Sequence, residues 1–316
     1  MTVPIEVAVG SDLPSPPLSR FAAWRRLRQD KAAATGLVII AVMVLVAVFA
    51  PVLTALEGQD ATTQNSDLID SASGGTPIGS LGGVSGSHWL GVEPQTGRDL
   101  FARLVYGARI SLGVALSATL LQVLIGVGIG IAAGLGGRLV DGALGRLTDL
   151  SLAFPSVLFA IALMAIVPGS IPRPLILAVV IALLGWGTTA RLARGQALSL
   201  KTRDFVAAAK LSGAPPLRVA RREILPGLVT PVLTYAALLV PANMVAEAGL
   251  SFLGVGVRPP TPSWGQMLSA GTTWFRPDVM YVLVPGSALF LTLLAFTLLA
   301  DGVRRTLDPR NVEVAP

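Results

Sequence analysis

The chain contains no cysteine. Disulfides, thiolate metal sites and cysteine nucleophiles are therefore excluded. One histidine, His88, is too few for a histidine-rich metal cluster, and no metal site is expected. The three lysines, Lys31, Lys201 and Lys210, follow Asp30, Leu200 and Ala209. A phosphate-binding loop needs a Gly-Lys pair, so the chain carries no Walker A motif, and any ATP must be bound by a partner. Charge is scarce, at 13% of 316 residues, about half the ~25% of ordinary soluble domains. Apolar residues make up 53% and the mean hydropathy is +0.70. A soluble globule needs more polar surface than that. These shortages argue against a soluble enzyme, a nucleic-acid binder and a disordered protein.

The apolar residues fall in long uncharged windows. Six are Ala32–Leu56, Ile110–Gly137, Leu150–Pro172, Pro174–Ala190, Ile224–Ala246 and Val279–Ala300. A helix needs ~20 apolar residues to cross a bilayer, so five windows span comfortably. The fourth is short, and Arg191 and Arg194 can snorkel to extend it. An all-α integral membrane protein with six transmembrane helices is expected. A seventh window, Pro259–Phe275, holds three prolines and two glycines. Unsatisfied backbone in lipid costs several kcal/mol per group, so it reads as a loop or re-entrant piece with Trp264 and Trp274 near the interface. The first window follows ~30 polar residues and lacks a small-residue cleavage site, which reads as a retained signal anchor.

Six spans put both termini on one side. Eighteen Lys and Arg lie on that side and six on the other, which predicts cytoplasmic termini. The expected organisation is a cytoplasmic segment 1–31, a first span 32–56, an external stretch 57–109, a core 110–301 with a cytoplasmic loop 191–223, and a cytoplasmic tail 302–316. Glu57–Trp89 is rich in Gly, Ser, Thr and Asp. Such composition buries too little apolar area to order itself and reads as a flexible loop; a ligand-gripping loop is the sharper alternative.

Most candidate chemistry fails. Gly128-Ile129-Gly130-Ile131-Ala132-Ala133 fits the dinucleotide fingerprint, with Asp149 about twenty residues on. It lies mid-window, with no strand before it. Gly126, Gly130 and Gly134 instead give a smooth helix face for close packing in lipid. His88 reads as solvated or locally bonded. No Ser-His-Asp set or intramembrane aspartate pair is plausible. Glu247, near the end of the fifth window, is either hydrated at the interface or paired with Arg258, or else faces a pathway. Asn243 lies four residues earlier on the same face, with Met244 beside it.

The loop Arg191–Glu223 holds eight basic and two acidic residues. Asp204–Leu211 reads DFVAAAKL: Asp204 can cap a helix, and Ala207, Ala208 and Ala209 favour one. Gly213 stops that helix, Pro215-Pro216 turns the chain, a second short helix spans Leu217–Ile224, and Leu225-Pro226 starts the next window. The result is a helix–turn–helix knob anchored at both ends. An ordinary basic loop on anionic lipid is the blander reading.

This stretch resembles the EAA loop of ABC importer permeases, in which E-A-A-x3-G is followed by Leu-Pro. Ala208, Ala209, Gly213, Leu225 and Pro226 match, and Ala207 stands at the family's Glu position. His88–Leu112, HWLGVEPQTGRDLFARLVYGARISL, is similar to the HxLGTDxxGRDxxSRxxYGARxSL segment of C-type permease subunits of dipeptide and oligopeptide importers, with Glu93 replacing the usual Asp and one residue inserted before Gly97. AEAGLSFLGVGVRPPTPSWGQML at Ala246–Leu268 and the tail LLADGVRRTLDPR resemble the end of the same subunits.

The resemblance implies a type I ABC importer permease fold and half of a translocation pathway. It implies a homologous B-type permease subunit, two ATP-binding subunits and an extracytoplasmic peptide-binding protein as partners, in a bacterial inner membrane. No cofactor is expected in this chain, with ATP and Mg held by the ATPases. Asp204, Phe205, Ala207, Ala208, Ala209, Lys210, Gly213, Leu225 and Pro226 would couple to an ATPase, and Asn243, Met244 and Glu247 would line the pathway. Nickel or another small solute is the alternative cargo, and a passive channel the alternative class.

Overall fold

The computed structural model describes residues 27–168 and 170–307. Most of segment 1–31 and the end of the tail lie outside the described residues. Helix α1 (Lys31–Val48) starts where Asp30 accepts the N–H groups of Ala32 and Ala33. It breaks at Phe49 and resumes as α2 (Ala50–Glu57), with a proline in its first turn, where no amide is needed. A polar stretch follows with a two-stranded ribbon, β1 (Ile69–Asp70) antiparallel to β2 (Thr76–Pro77). Helix α3 (Leu100–Leu135) is capped by Asp99, which accepts the Ala102 N–H at 2.7 Å.

Helices α4 (Gly137–Ala153) and α5 (Ser156–Ile166) come next, then α6 (Arg173–Lys201). The knob comprises α7 (Asp204–Leu211), α8 (Pro216–Val219) and a π turn at Ala220–Ile224. Helix α9 (Leu225–Phe252), the short α10 (Trp264–Gly271) and α11 (Met280–Leu307) complete the chain.

Five helical stretches are long and apolar enough to cross a membrane. The third expected span, Leu150–Pro172, is not a straight helix. Helices α4 and α5 meet at a bend of 87°, so six spans are reached only by counting the pair as one. Pro155 causes the break: it has no N–H to donate, and it holds Phe154 in an extended conformation (ψ 138°). The fourth window is not short either. Helix α6 runs 29 residues, through Arg191 and Arg194 to Lys201, so the first eleven residues of the expected loop 191–223 are helical.

Helices α3 and α6 pack closest. Gly126 sits against Thr189, Gly130 against Ala190 and Ala193, and Gly134 against Ala197. The small-residue face expected from the sequence is therefore the contact that brings two spans together, where lipid gives no hydrophobic drive and shape must do the holding. Three apolar clusters follow: one around Leu112, Met244, Trp264, Met267 and Phe296, one around Met164, Leu177 and Leu250, and one of Val206, Val219, Ile224 and Leu228 beneath the knob.

Candidate functional site

The knob is pinned from behind and open in front. Val206, Val219 and Ile224 are buried, while Phe205 and Leu211 are 47% and 90% exposed. Ala207, Ala208 and Lys210 share the open side, and Ala209 is half-buried. Asp204 is the first residue of α7 and makes no capping bond, contrary to its expected capping role. Its charge instead sits in the first turn, favoured by the helix dipole. Gly213 has φ +75°, which an L side chain rarely adopts. The Ala214 N–H bonds Ala209 O at 3.1 Å and the Gly213 N–H bonds Lys210 O at 3.0 Å, closing the helix with a glycine-dependent reversal. The second helix is shorter than expected, one turn of α8 before the π turn. Leu225 and Pro226 open α9 and are exposed.

The knob is wired to the bend. Arg191 Nη2 donates to Asp149 Oδ1 at 2.9 Å, and Arg194 Nη2 to Asp141 Oδ2 at 2.8 Å. Both pairs join α6, which leads into α7, to α4, which leads into α5. Lys201 Nζ also donates to Gly134 O at 3.1 Å.

A cavity of about 480 Å³ lies between α3, α5, α6 and α9. The three pathway candidates separate around it. Asn243 lines the cavity, whereas Met244 is buried in the first apolar cluster. Glu247 is neither hydrated nor paired with Arg258, whose Nε bonds Gly254 O at 2.9 Å. Its carboxyl is fully buried, with Oε1 accepting the Ser251 hydroxyl at 2.8 Å and Oε2 left without a hydrogen-bond partner. The Ser251 oxygen accepts the Val257 N–H in turn, while the Ser111 and Ser263 oxygens accept the Trp264 and Gln266 N–H groups. Ser251 thus ties Glu247 to the turn after α9, and Ser111 ties α3 to the start of α10. Trp264, expected at the interface, is buried, with Nε1 on Leu104 O at 3.1 Å.

Sequence spacing did not reveal Gln122. Its Nε2 donates to Ile181 O and Asn243 Oδ1, both at 3.1 Å, and Asn243 Nδ2 donates to Gln122 Oε1 at 2.9 Å and Thr119 Oγ1 at 2.8 Å. A glutamine inside a long apolar window is the one signal that could have marked it.

The end of the bundle opposite the knob is ordered, contrary to the flexible loop expected of Glu57–Trp89. Backbone bonds, not apolar burial, hold it: Val92 N–H to Gly82 O at 2.9 Å and Gln95 N–H to Gly75 O at 2.8 Å. Asn65 Nδ2 donates to Gly97 O at 2.9 Å, and any Cβ at Gly97 would collide with the Asn65 backbone. His88 is buried, with Nδ1 2.8 Å from Asp99 Oδ2. Glu57 accepts the Trp89 N–H at 2.8 Å, and burial pushes its carboxyl up to about 7. Arg103 is the hub. Its Nε lies 2.6 Å from Glu93 Oε1, and its guanidinium reaches Ala61 O, Pro260 O and Gln266 Oε1. Glu93 also takes Arg98 Nε at 2.6 Å and the Tyr281 hydroxyl at 2.7 Å.

Residues 126–313 match the family described as binding-protein-dependent transport system inner membrane component. Residues 21–70 match the N-terminal TM domain of oligopeptide transport permease C. The chain is 36% identical to a dipeptide transport system permease protein of Alkalihalophilus pseudofirmus, over 91% of this chain and 89% of that one. It is 34% identical to a glutathione transport system permease protein of Pectobacterium atrosepticum (91% and 90%) and 33% identical to an oligopeptide transport system permease protein of Bacillus subtilis (91% and 88%).

Proposed function

The chain belongs to the family of binding-protein-dependent transport system inner membrane components, a multi-pass permease subunit with the type I ABC importer permease fold, and from that membership we propose that it forms half of the pathway of a di- and oligopeptide importer. A homologous permease completes the pathway, an external binding protein delivers the peptide, and two ATPase subunits that hold ATP and Mg drive it. The knob end then faces the cytoplasm, in keeping with the eighteen basic residues expected on that side.

The observation that carries the reading is the knob itself. Its back is buried in the bundle, while Phe205 and Leu211 stand open to a soluble partner. Asp204, Ala207, Ala208, Ala209, Lys210 and Gly213 shape the docking face, and Leu225 and Pro226 pass its movement into α9. Through Arg191 and Arg194 the same movement reaches α4 and the bend above it. Closing the ATPases draws the knobs together and rocks the helices, so that contacts differing between two states drive alternating access. Around the pathway, only Asn243 of the three candidates borders the cavity, and Glu247 braces the wall.

Uptake of labelled dipeptides, longer peptides, glutathione and nickel, in cells with and without this subunit, tests the reading. Peptide uptake that depends on the chain is the expected result. Uptake of glutathione or nickel alone would reassign the cargo, and uptake without co-purifying ATPases would turn the protein into a passive channel.

A further inference from the structure

We propose that the cavity between α3, α5, α6 and α9 is a transit subsite for an uncharged, apolar residue of the transported peptide, with the Gln122–Asn243 amide pair as its polar wall. The proposal rests on the peptide-importer reading above.

The size fits. A volume of about 480 Å³ lies within the ~300–1,000 Å³ of small-molecule sites. The lining is mostly aliphatic: Ala160, Ile181, Leu184 and Leu250 from three helices. Among the described residues no charged side chain lines it. A charged group entering would lose its hydration without gaining a counter-ion, which is strongly unfavourable.

The polar wall has a defined capacity. Gln122 and Asn243 are almost wholly buried, at 2% and 4% exposure. All four of their amide N–H bonds are used, on Ile181 O, Thr119 Oγ1 and each other. What remains is acceptor capacity on the two amide oxygens, each of which carries two lone pairs and takes one hydrogen bond here. Such a wall accepts a hydrogen from a peptide N–H and offers no donor to a carboxylate. The donors of the pair are all satisfied within the chain, so an apolar side chain can pass without leaving a buried N–H unpaired.

Gly249 provides the test. It lines the cavity, and a Cβ there would meet nothing within 4 Å. Gly249 is exposed at the open side of the cavity, so larger side chains there narrow its mouth rather than press into the packed protein. Gly128, on the exposed side of α3, is equally unobstructed and lies outside the cavity, so it serves as the control. The complete importer, expressed in cells lacking other peptide uptake, is given labelled Ala-Ala and Phe-Phe. The expected result is that Gly249→Ala, Gly249→Val and Gly249→Phe raise the ratio of Ala-Ala to Phe-Phe uptake in that order, by about tenfold or more for the largest. Gly128→Phe leaves the ratio at the wild-type value. Should Gly249→Phe fail to assemble, the two smaller substitutions still give the slope. A flat ratio across the series overturns the subsite, while peptide uptake by the wild type upholds the importer reading. A wild-type importer that moves neither dipeptide overturns both.

Discussion

The two ends of the bundle use charge in opposite ways. At the end carrying residues 57–99, Glu93, Asp99 and Arg103 are buried and paired within the chain. At the knob end, Arg218, Arg221 and Arg222 are exposed around an open hollow, and the ion pair between Arg191 and Asp149 is 61% and 71% exposed on its two sides. A buried charge network fixes geometry, because each partner would be costly to leave alone. An exposed basic surface fixes little by itself and stays available to a partner. The first end is built as a frame and the second as a contact.

The comparison breaks most visibly at Arg103. Replacing it with Met leaves the Glu93 carboxylate buried beside fewer donors and frees Ala61 O, Pro260 O and Gln266 Oε1 from theirs. Losing one partner of a buried pair costs about 3–5 kcal/mol. Arg103→Met is expected to lower the melting temperature of the purified subunit steeply and to cut its yield. Arg103→Lys keeps the charge but loses the planar fork, and should fall between. A melt unchanged by Arg103→Met would mean that the frame is held elsewhere.

At the knob the corresponding position is Gly213, and there the expected damage is to function. A β-branched residue at φ +75° costs roughly 1–2 kcal/mol locally, too little to unfold five packed helices. Gly213→Val is expected to abolish transport and co-purification of the ATPases while the melting temperature stays within a few degrees of wild type. Transport at the wild-type rate would remove the knob from the coupling path.

Glu57 gives the frame a pH dependence. Its carboxyl holds a proton up to about pH 7 when folded, against an ordinary value of 4.5. Between those values the folded state binds more protons than the unfolded one, so stability falls as pH rises. The contribution is fully present below 4.5 and is lost on passing through about 7. Melts between pH 5 and 7.5 should show this decline, and Glu57→Gln, which mimics the protonated form, should flatten it.

The sequence reveals the knob well and the frame poorly, for one physical reason. Gly213, Pro215 and the alanines of α7 act on their immediate neighbours, so a local reading finds them. The 57–99 end is ordered by pairs distant in sequence: Asn65 with Gly97, Arg103 with Pro260 and Gln266, Tyr281 with Glu93. Composition there is polar and glycine-rich, and composition carries no record of such pairs. The glycine face of α3 was legible because its spacing alone defines it. Glu247 was legible as an acid out of place at the end of a span but not as a fully buried one, since its burial comes from packing that spacing does not record. The 87° bend carries its signal in Pro155, a single residue inside an otherwise uniform apolar window.

The smallest expected effect on stability is also the sharpest test of the contrast. Asp149 and Arg191 join α4 to α6 at 2.9 Å, yet both are largely exposed. Exposed pairs of this kind contribute about 0–1 kcal/mol, so Asp149→Asn should leave the melting temperature almost unmoved. Transport should nevertheless slow if the proposed coupling holds, because the pair is one of two ion-paired links between α6 and α4. The reversed pair, Asp149→Arg with Arg191→Asp, should restore the rate, since the link needs attraction and not a particular sign at either helix. A single substitution that leaves transport intact would show the Arg194–Asp141 link to be sufficient, and a double reversal that stays slow would make the loss one of local shape. In either case stability and function should part company at this end, as they should not at Arg103.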